Sequence, residues 1–145
     1  MKVCIVSSCG GHLAEILAIK DAYDKYEHFY IINKPITLPQ SFGRVYFITH
    51  AERGIGLLWN LIEAARIMAQ EKPTVILSTG ASCAVPVGII GKLTGVPVIF
   101  IETFTRVTSP SLTGRIMYWM ADRFYYQWPQ LQRYFPKGIY GGTVV

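Results

Sequence analysis

The chain is short of everything that would staple it together. Of its 145 residues only three are cysteine. Cys4, Cys9 and Cys83 are odd in number and lie in or beside apolar stretches, which argues against a secreted disulfide framework and for a reducing compartment. Metal-ligand spacing is as scarce: Cys9 with His12 is a lone near pair, and no paired carboxylates suited to magnesium appear, so no metal is expected. Charged residues make up 16% of the chain, nine acidic against fourteen basic, for a net charge of +5. That balance admits an anionic partner, but the basic residues are scattered and no RNA-binding or zinc-finger signature occurs, which argues against nucleic acid. The first residues carry one lysine and an apolar run too short for a signal peptide. Residues 73–91 carry no charge, yet Pro73, Gly80, Pro86 and Gly88 divide them into strand, turn and helix rather than a membrane span.

What is present is apolar. Half of the residues are hydrophobic and the mean hydropathy is +0.30, which suits either a well-filled α/β core or apolar surface kept for a partner or a bilayer. The pattern predicts strands over 2–7, 28–33, 44–49, 74–78, 96–101 and 123–128, and helices over 11–25, 54–71, 83–94 and 112–121. Two prolines make the segment KPITLPQSFG, 34–43, a loop. Apolar strands without polar alternation, separated by helices, mean a parallel sheet covered on both faces. The expected fold is α/β, a single Rossmann-like, doubly wound parallel sheet, with residues 1–145 as one domain.

In such sheets ligands bind beyond the carboxyl ends of the strands, near the reversal in strand order. Three peptides fall there: SSCGGH after the first strand, STGASCAVP after the strand at 74–78, and ETFTRVTSPSLTG after the strand at 96–101. Gly10 and Gly11 let backbone N–H groups approach a ligand, and the helix that follows offers its positive end, so an anion or phosphate is the expected guest. The loop is neither a dinucleotide fingerprint nor a P-loop, because GxGxxG and GK[ST] are both absent. His12, in the first turn, is a candidate to accept a proton or to hydrogen-bond a ligand, or is a packing residue. In the second loop Ser78, Thr79 and Ser82 supply hydroxyls, and Gly80 a bare amide. Glu102 follows five apolar strand residues, which delivers a carboxylate to the crevice mouth either as a general base or as a cap or ion-pair partner, with Arg106 the nearest cation in sequence.

The helix over 54–71 is broader in its apolar face than one core contact needs. Leu57, Leu58, Leu61, Ile62, Ala65 and Met68 surround Trp59, with Arg53 and Arg66 close by. The spare side is expected either to lie in a membrane interface or against a partner, or to be buried between neighbouring elements.

Taken together, SSCGGHLAEI, STGASCAVPVGIIGKLTGVPVIFIE and above all ETFTRVTSPSLTGRIMYWMADRFYYQWPQL resemble the Alg14 family, including its bacterial PssD/CpsF-type relatives in capsule and exopolysaccharide synthesis. The resemblance implies the amino-terminal, acceptor-side half of a GT-B glycosyltransferase related to MurG. It also implies a separate Alg13-like (PssE/CpsG-type) subunit that holds the donor. Gly10, Gly11 and His12 match the family's glycine-rich loop and its histidine, near the acceptor diphosphate; Glu102, Arg106, Ser111 and Gly114 match its E...RV...S.TG pattern; Gln127, Trp128 and Pro129 match its QWP. Ile101, not histidine, precedes Glu102, so acid/base roles do not carry over wholesale from MurG. No amino-terminal membrane anchor of the eukaryotic kind is expected.

The resemblance implies transfer of a sugar from a UDP-sugar to a polyprenyl-diphosphate-linked saccharide at the cytoplasmic membrane face, with no cofactor and no metal. Glu102 or His12 would be the catalytic base. Gly10, Gly11, Ser82 and Arg106 would hold the acceptor diphosphate, and Trp59, Leu58 and Trp128 would face membrane or partner. Two other readings stay open: a non-catalytic membrane recruiter of a separate glycosyltransferase, and a stand-alone nucleotide-binding Rossmann protein.

Overall fold

The computed structural model describes residues 1–33, 37–38, 42–51 and 54–145; much of the segment expected to loop over 34–43, and Arg53, fall outside the described residues. Strands β1 (Lys2–Ser7), β2 (Glu27–Ile32), β3 (Val45–Phe47), β4 (Val75–Ser78), β5 (Val98–Ile101), β6 (Arg123–Tyr126) and β7 (Ile139–Tyr140) form one sheet in the order β3-β2-β1-β4-β5-β6-β7. Every pairing is parallel. Helices α1 (Gly11–Ala18), α2 (Ile55–Glu71), α3 (Ala84–Thr94) and α4 (Leu112–Met120) connect them. This is the Rossmann-like α/β arrangement that the apolar, unalternated strands predict.

Alternation along β1 divides the core into two. Cys4 and Val6 point to the face where Ala64 and Met68 of α2, Val87 of α3 and Met117 of α4 pack, while Val3 and Ile5 point to Leu13 and Ile16 of α1. Pro86 sits in the first turn of α3, where a missing N–H costs nothing, and Lys72, in a left-handed conformation just before Pro73, ends α2.

The helix expected over 11–25 stops at Ala18, and residues Lys20–Ala22 form a single 3-10 turn. The reason is Tyr23: it is fully buried, its hydroxyl donates to the Ile16 carbonyl at 3.2 Å, and it lies 3.3 Å from the Tyr30 hydroxyl. Seating that ring in the core takes the chain off the helix axis. The strand expected over 44–49 is ordered as sheet only at Val45–Phe47. A 3-10 helix, Pro129–Arg133, and the two-residue β7 extend the fold beyond the last element that the periodicity predicts.

At the amino end of the sheet a charged clamp joins β1, β2, β3 and α2. The buried Glu71 carboxylate meets Lys2 Nζ at 3.2 Å and Arg44 Nη1 at 3.1 Å, and accepts a hydrogen bond from the Tyr46 hydroxyl. Arg44 Nη2 also reaches Glu27 at 2.7 Å. Burial works to raise the Glu71 carboxyl, but the bonds from Tyr46 and Lys2 and the Arg44 charge hold it below the ordinary carboxylate range.

Candidate functional site

The strand order reverses between β1 and β4, and a cleft of about 620 Å³ opens beyond the carboxyl ends of the strands there. Its walls come from the loops after five strands: Ser8 and His12 after β1, Asn33 after β2, His50 after β3, Ala81 and Ser82 after β4, and Thr105 and Arg106 after β5. The three peptides singled out in the sequence therefore do meet.

His12 is fixed from both sides by Thr79. The Thr79 hydroxyl donates to the His12 carbonyl at 2.9 Å, and His12 Nδ1 lies 3.1 Å from the Thr79 carbonyl. A carbonyl oxygen only accepts, so Nδ1 carries the proton in that bond, and in the neutral ring the lone pair belongs to Nε2. The ring packs against Gly80, where a Cβ would come within 2.7 Å of its Cε1, and Gly80 has φ of +123°. No other residue meets both demands. Ala81, next along, holds φ of +78°, an unfavourable left-handed backbone in a residue that lines the cleft.

Helix ends supply the electrostatics. Neither α1, capped by Gly10, nor α3, capped by Cys83, has a side chain bonded to its first N–H groups. The amino end of α4 is different: the Ser111 hydroxyl accepts from Gly114 N at 2.8 Å. Among the described residues the first N–H groups of α1 thus stay without a partner beside the cleft, whereas in α3 the Ala81 and Ser82 carbonyls accept from Ala84 N and Val85 N, and α3 offers only the positive end of its dipole. Arg106 lines it, is exposed, and is in no ion pair with a carboxylate among the described residues. The arrangement suits an anion, with the His12 imidazole alongside.

Glu102 takes another course. It is completely buried and does not line the cleft. Its carboxylate accepts from Thr103 N at 3.0 Å, Ser111 N at 3.0 Å and the Ser111 hydroxyl at 2.7 Å. A Cβ on Gly114 would stand 1.9 Å from Glu102 Oε2, so only glycine lets α4 begin there. The ion pair with Arg106 weighed from the sequence is not among the pairs formed.

A second buried carboxylate was hidden in the sequence. Glu15 of α1 accepts from the Thr103 hydroxyl at 2.6 Å, Phe104 N at 3.0 Å and Gln127 Nε2 at 3.0 Å. It ties the helix that carries His12 to the loop that carries Arg106. A faint signal exists: Glu15 sits between Leu13 and Ile16, on the side of α1 that faces the core. Asn33 and His50 were also missed as a pair, and they become neighbours only when β2 and β3 align.

Gly10 and Gly11 are exposed, with open space where a Cβ would stand, and lie beside the cleft rather than among the residues lining it. Ser82 lines it at the start of α3. Leu58 and Trp59 are exposed on α2, together with Ile55 and Ile62, and a similar stripe of Leu112, Ile116 and Trp119 runs along α4 on the same side of the sheet. Trp128 belongs to neither stripe: it is half-buried, packs on Phe104, and its indole N–H donates to the Phe104 carbonyl at 2.7 Å. Burial pushes the Cys83 thiol up to about 12, which keeps it an uncharged core group. Among the described residues no cluster of three His, Cys, Asp or Glu is placed to hold a metal ion, and no helix is long and apolar enough to cross a membrane. An apolar groove of about 540 Å³ between α2 and α3, at the far end of the sheet, has few polar groups to orient a ligand.

Solved structures with the same fold bear out the architecture. MurG from Acinetobacter baumannii superposes with a TM-score of 0.75 at 19% identity, covering 99% of this chain and 44% of that one. The UDP-N-acetylglucosamine 2-epimerase of Rickettsia bellii gives 0.76 at 14%, over 94% and 41%. By sequence, the human UDP-N-acetylglucosamine transferase subunit ALG14 is 27% identical over 136 residues, which is 88% of this chain and 59% of that protein. The rat protein of the same name is 34% identical over 80 residues, 51% of this chain and 37% of that protein. The match thus spans 59% of the human relative's length and 37% of the rat one's, less than two thirds of either. Residues 49–144, which hold the Arg106 loop, Glu102 and α4, match the family described as oligosaccharide biosynthesis protein Alg14 like, and the chain belongs to that Alg14 family.

Proposed function

We propose that this chain is the acceptor-binding and membrane-associating subunit of a two-component glycosyltransferase. The complex moves a sugar from a UDP-sugar to a polyprenyl-diphosphate-linked saccharide in capsule or exopolysaccharide synthesis, and an Alg13-like chain holds the donor. The observation that carries the reading is the convergence, at one cleft of an Alg14-family fold, of His12 with its Nε2 lone pair, Arg106 with no carboxylate partner among the described residues, and the uncapped start of α1. The names of the human and rat relatives make N-acetylglucosamine the first sugar to test.

In this mechanism Arg106, Ser82 and the amide groups at Gly10 and Gly11 hold the acceptor diphosphate. His12 Nε2 takes the proton of the acceptor hydroxyl as that oxygen bonds to the anomeric carbon, and the bond from that carbon to UDP breaks with its electron pair leaving on the nucleotide. Thr79 holds the imidazole in the tautomer this needs. What favours His12 over Glu102 as the base is access: His12 lines the cleft, whereas three donors occupy the Glu102 carboxylate. Glu102 then acts by shaping the loop that bears Arg106. The exposed stripes of α2 and α4, with Trp59 and Trp119, are the surface for the inner face of the cell membrane.

The test is sugar transfer from a panel of labelled UDP-sugars to a polyprenyl-diphosphate acceptor in membranes, with this chain, a candidate donor subunit, or both. Activity only with both is the expected result. Activity of the donor subunit alone would reduce this chain to a recruiter, and activity of this chain alone would place the donor site on it.

A further inference from the structure

The cleft differs from one end to the other. On the β5 and α4 side stand Arg106, Thr105 and Ser111; on the β2 and β3 side stand Asn33 and His50. Asn33 is 4% exposed, and its Nδ2 donates to His50 Nδ1 at 3.0 Å. That leaves the carbonyl oxygen of the same amide, Oδ1, as the buried side-chain polar atom without a hydrogen-bond partner among the described residues. Buried amide oxygens are nearly always paired, so an orphan on a side chain that lines a cavity marks a place where a ligand donates. Among the described residues the cleft lining has no Phe, Tyr or Trp on which a nucleobase would stack, and six of the twelve are serine or threonine. A polyhydroxylated ligand suits such walls.

We propose that the β2/β3 end of the cleft is a saccharide subsite, in which Asn33 Oδ1 accepts a hydrogen bond from a hydroxyl or acetamido N–H of a sugar whose diphosphate lies toward Arg106. This deepens the acceptor reading above and rests on it. It also orients the acceptor, with diphosphate under β5 and α4, sugar under β2 and β3, and His12 between them on the loop after β1. His50 is the positioning residue, because its Nδ1 occupies the amide nitrogen of Asn33 and so fixes which atom of the amide is left without a partner.

Calorimetric titration of the full chain tests this with three probes: citronellyl diphosphate, the same lipid diphosphate bearing N-acetylglucosamine, and UDP. Asn33→Leu should weaken the sugar-bearing probe by about tenfold or more, since a site built to bond a polar ligand group discriminates strongly once that bond is lost. It should leave citronellyl diphosphate within about twofold. Asn33→Asp, which keeps an acceptor oxygen in place, should retain the sugar-bearing probe. Equal weakening of both lipid probes, no weakening of either, or a loss confined to UDP would each overturn the proposal. Arg106→Ala separates the two layers: it should weaken both lipid probes, and if it weakens neither, the diphosphate placement fails whatever Asn33 does. If Asn33→Leu does not fold, the side-chain amide resonances of Asn33 in the unmodified chain decide. They must shift with the sugar-bearing probe and not with the bare one, and the converse overturns the subsite.

Discussion

Two ends of one sheet bury glutamates in opposite ways. At the amino end Glu71 is neutralised by Lys2 and Arg44, cations drawn from β1 and the start of β3, so that charge cancels where the strands begin. At the carboxyl end Glu15 and Glu102 are bound by hydroxyls, an amide side chain and backbone N–H groups, and among the described residues no cation pairs with them. Arg106 is therefore left beside the cleft in no ion pair among the described residues. The difference teaches that a buried carboxylate near a candidate site need not be its base: here the two carboxylates build the loop, and the imidazole and guanidinium face the space.

The largest effect that would break this comparison is on His12. His12→Ala should lower kcat of the reconstituted transferase by at least about a hundredfold, the scale of a lost general base, with thermal stability little changed. The informative partner is Glu102→Gln. An amide nitrogen there would face Ser111 or Thr103 donors, so the variant should lose about 2 kcal/mol of stability by denaturant unfolding, with kcat falling only as far as Arg106 is displaced. A hundredfold loss of kcat for Glu102→Gln at unchanged stability, with His12→Ala still active, would exchange the two roles.

Next in size is Gly114→Ala. The new methyl group would meet a carboxylate packed against the helix start, and the neighbour cannot yield without releasing Ser111. We expect a loss of about 2 kcal/mol in chemical denaturation, typical of overpacking a filled site. A neutral result would mean that the β5 to α4 loop is not held by Glu102.

Much of this architecture was legible because unalternated apolar strands have few alternatives to a covered parallel sheet. The three strand-end peptides placed the cleft, and His12, Ser82 and Arg106 line it as their loops suggested. What the sequence concealed was tertiary. Tyr23 extends the apolar period of the first helix, yet the ring is spent on the core and the helix ends at Ala18. Ile139 and Tyr140 are too few and too exposed to leave a strand pattern. Glu15 reads as an ordinary polar helix residue until Thr103, Phe104 and Gln127, from 88 to 112 positions away, close around it.

The smallest expected effect sharpens the other half of the comparison. The Glu71 carboxyl is held below the ordinary carboxylate range in the folded chain, so its contribution is present above that range and is lost as pH falls through the folded value. Glu71→Gln should therefore cost about 1 to 2 kcal/mol near neutral pH, a moderate figure because Arg44 is half exposed and Lys2 partly so. The gap between variant and parent should close as the solution is acidified beyond the ordinary carboxylate range, where the parent carboxylate takes up its proton. Urea unfolding of both chains across that span reads the effect directly. A gap that stays constant with pH would mean that Tyr46 packing, and not charge, holds the amino end together, and the contrast between the two ends would then be one of shape alone.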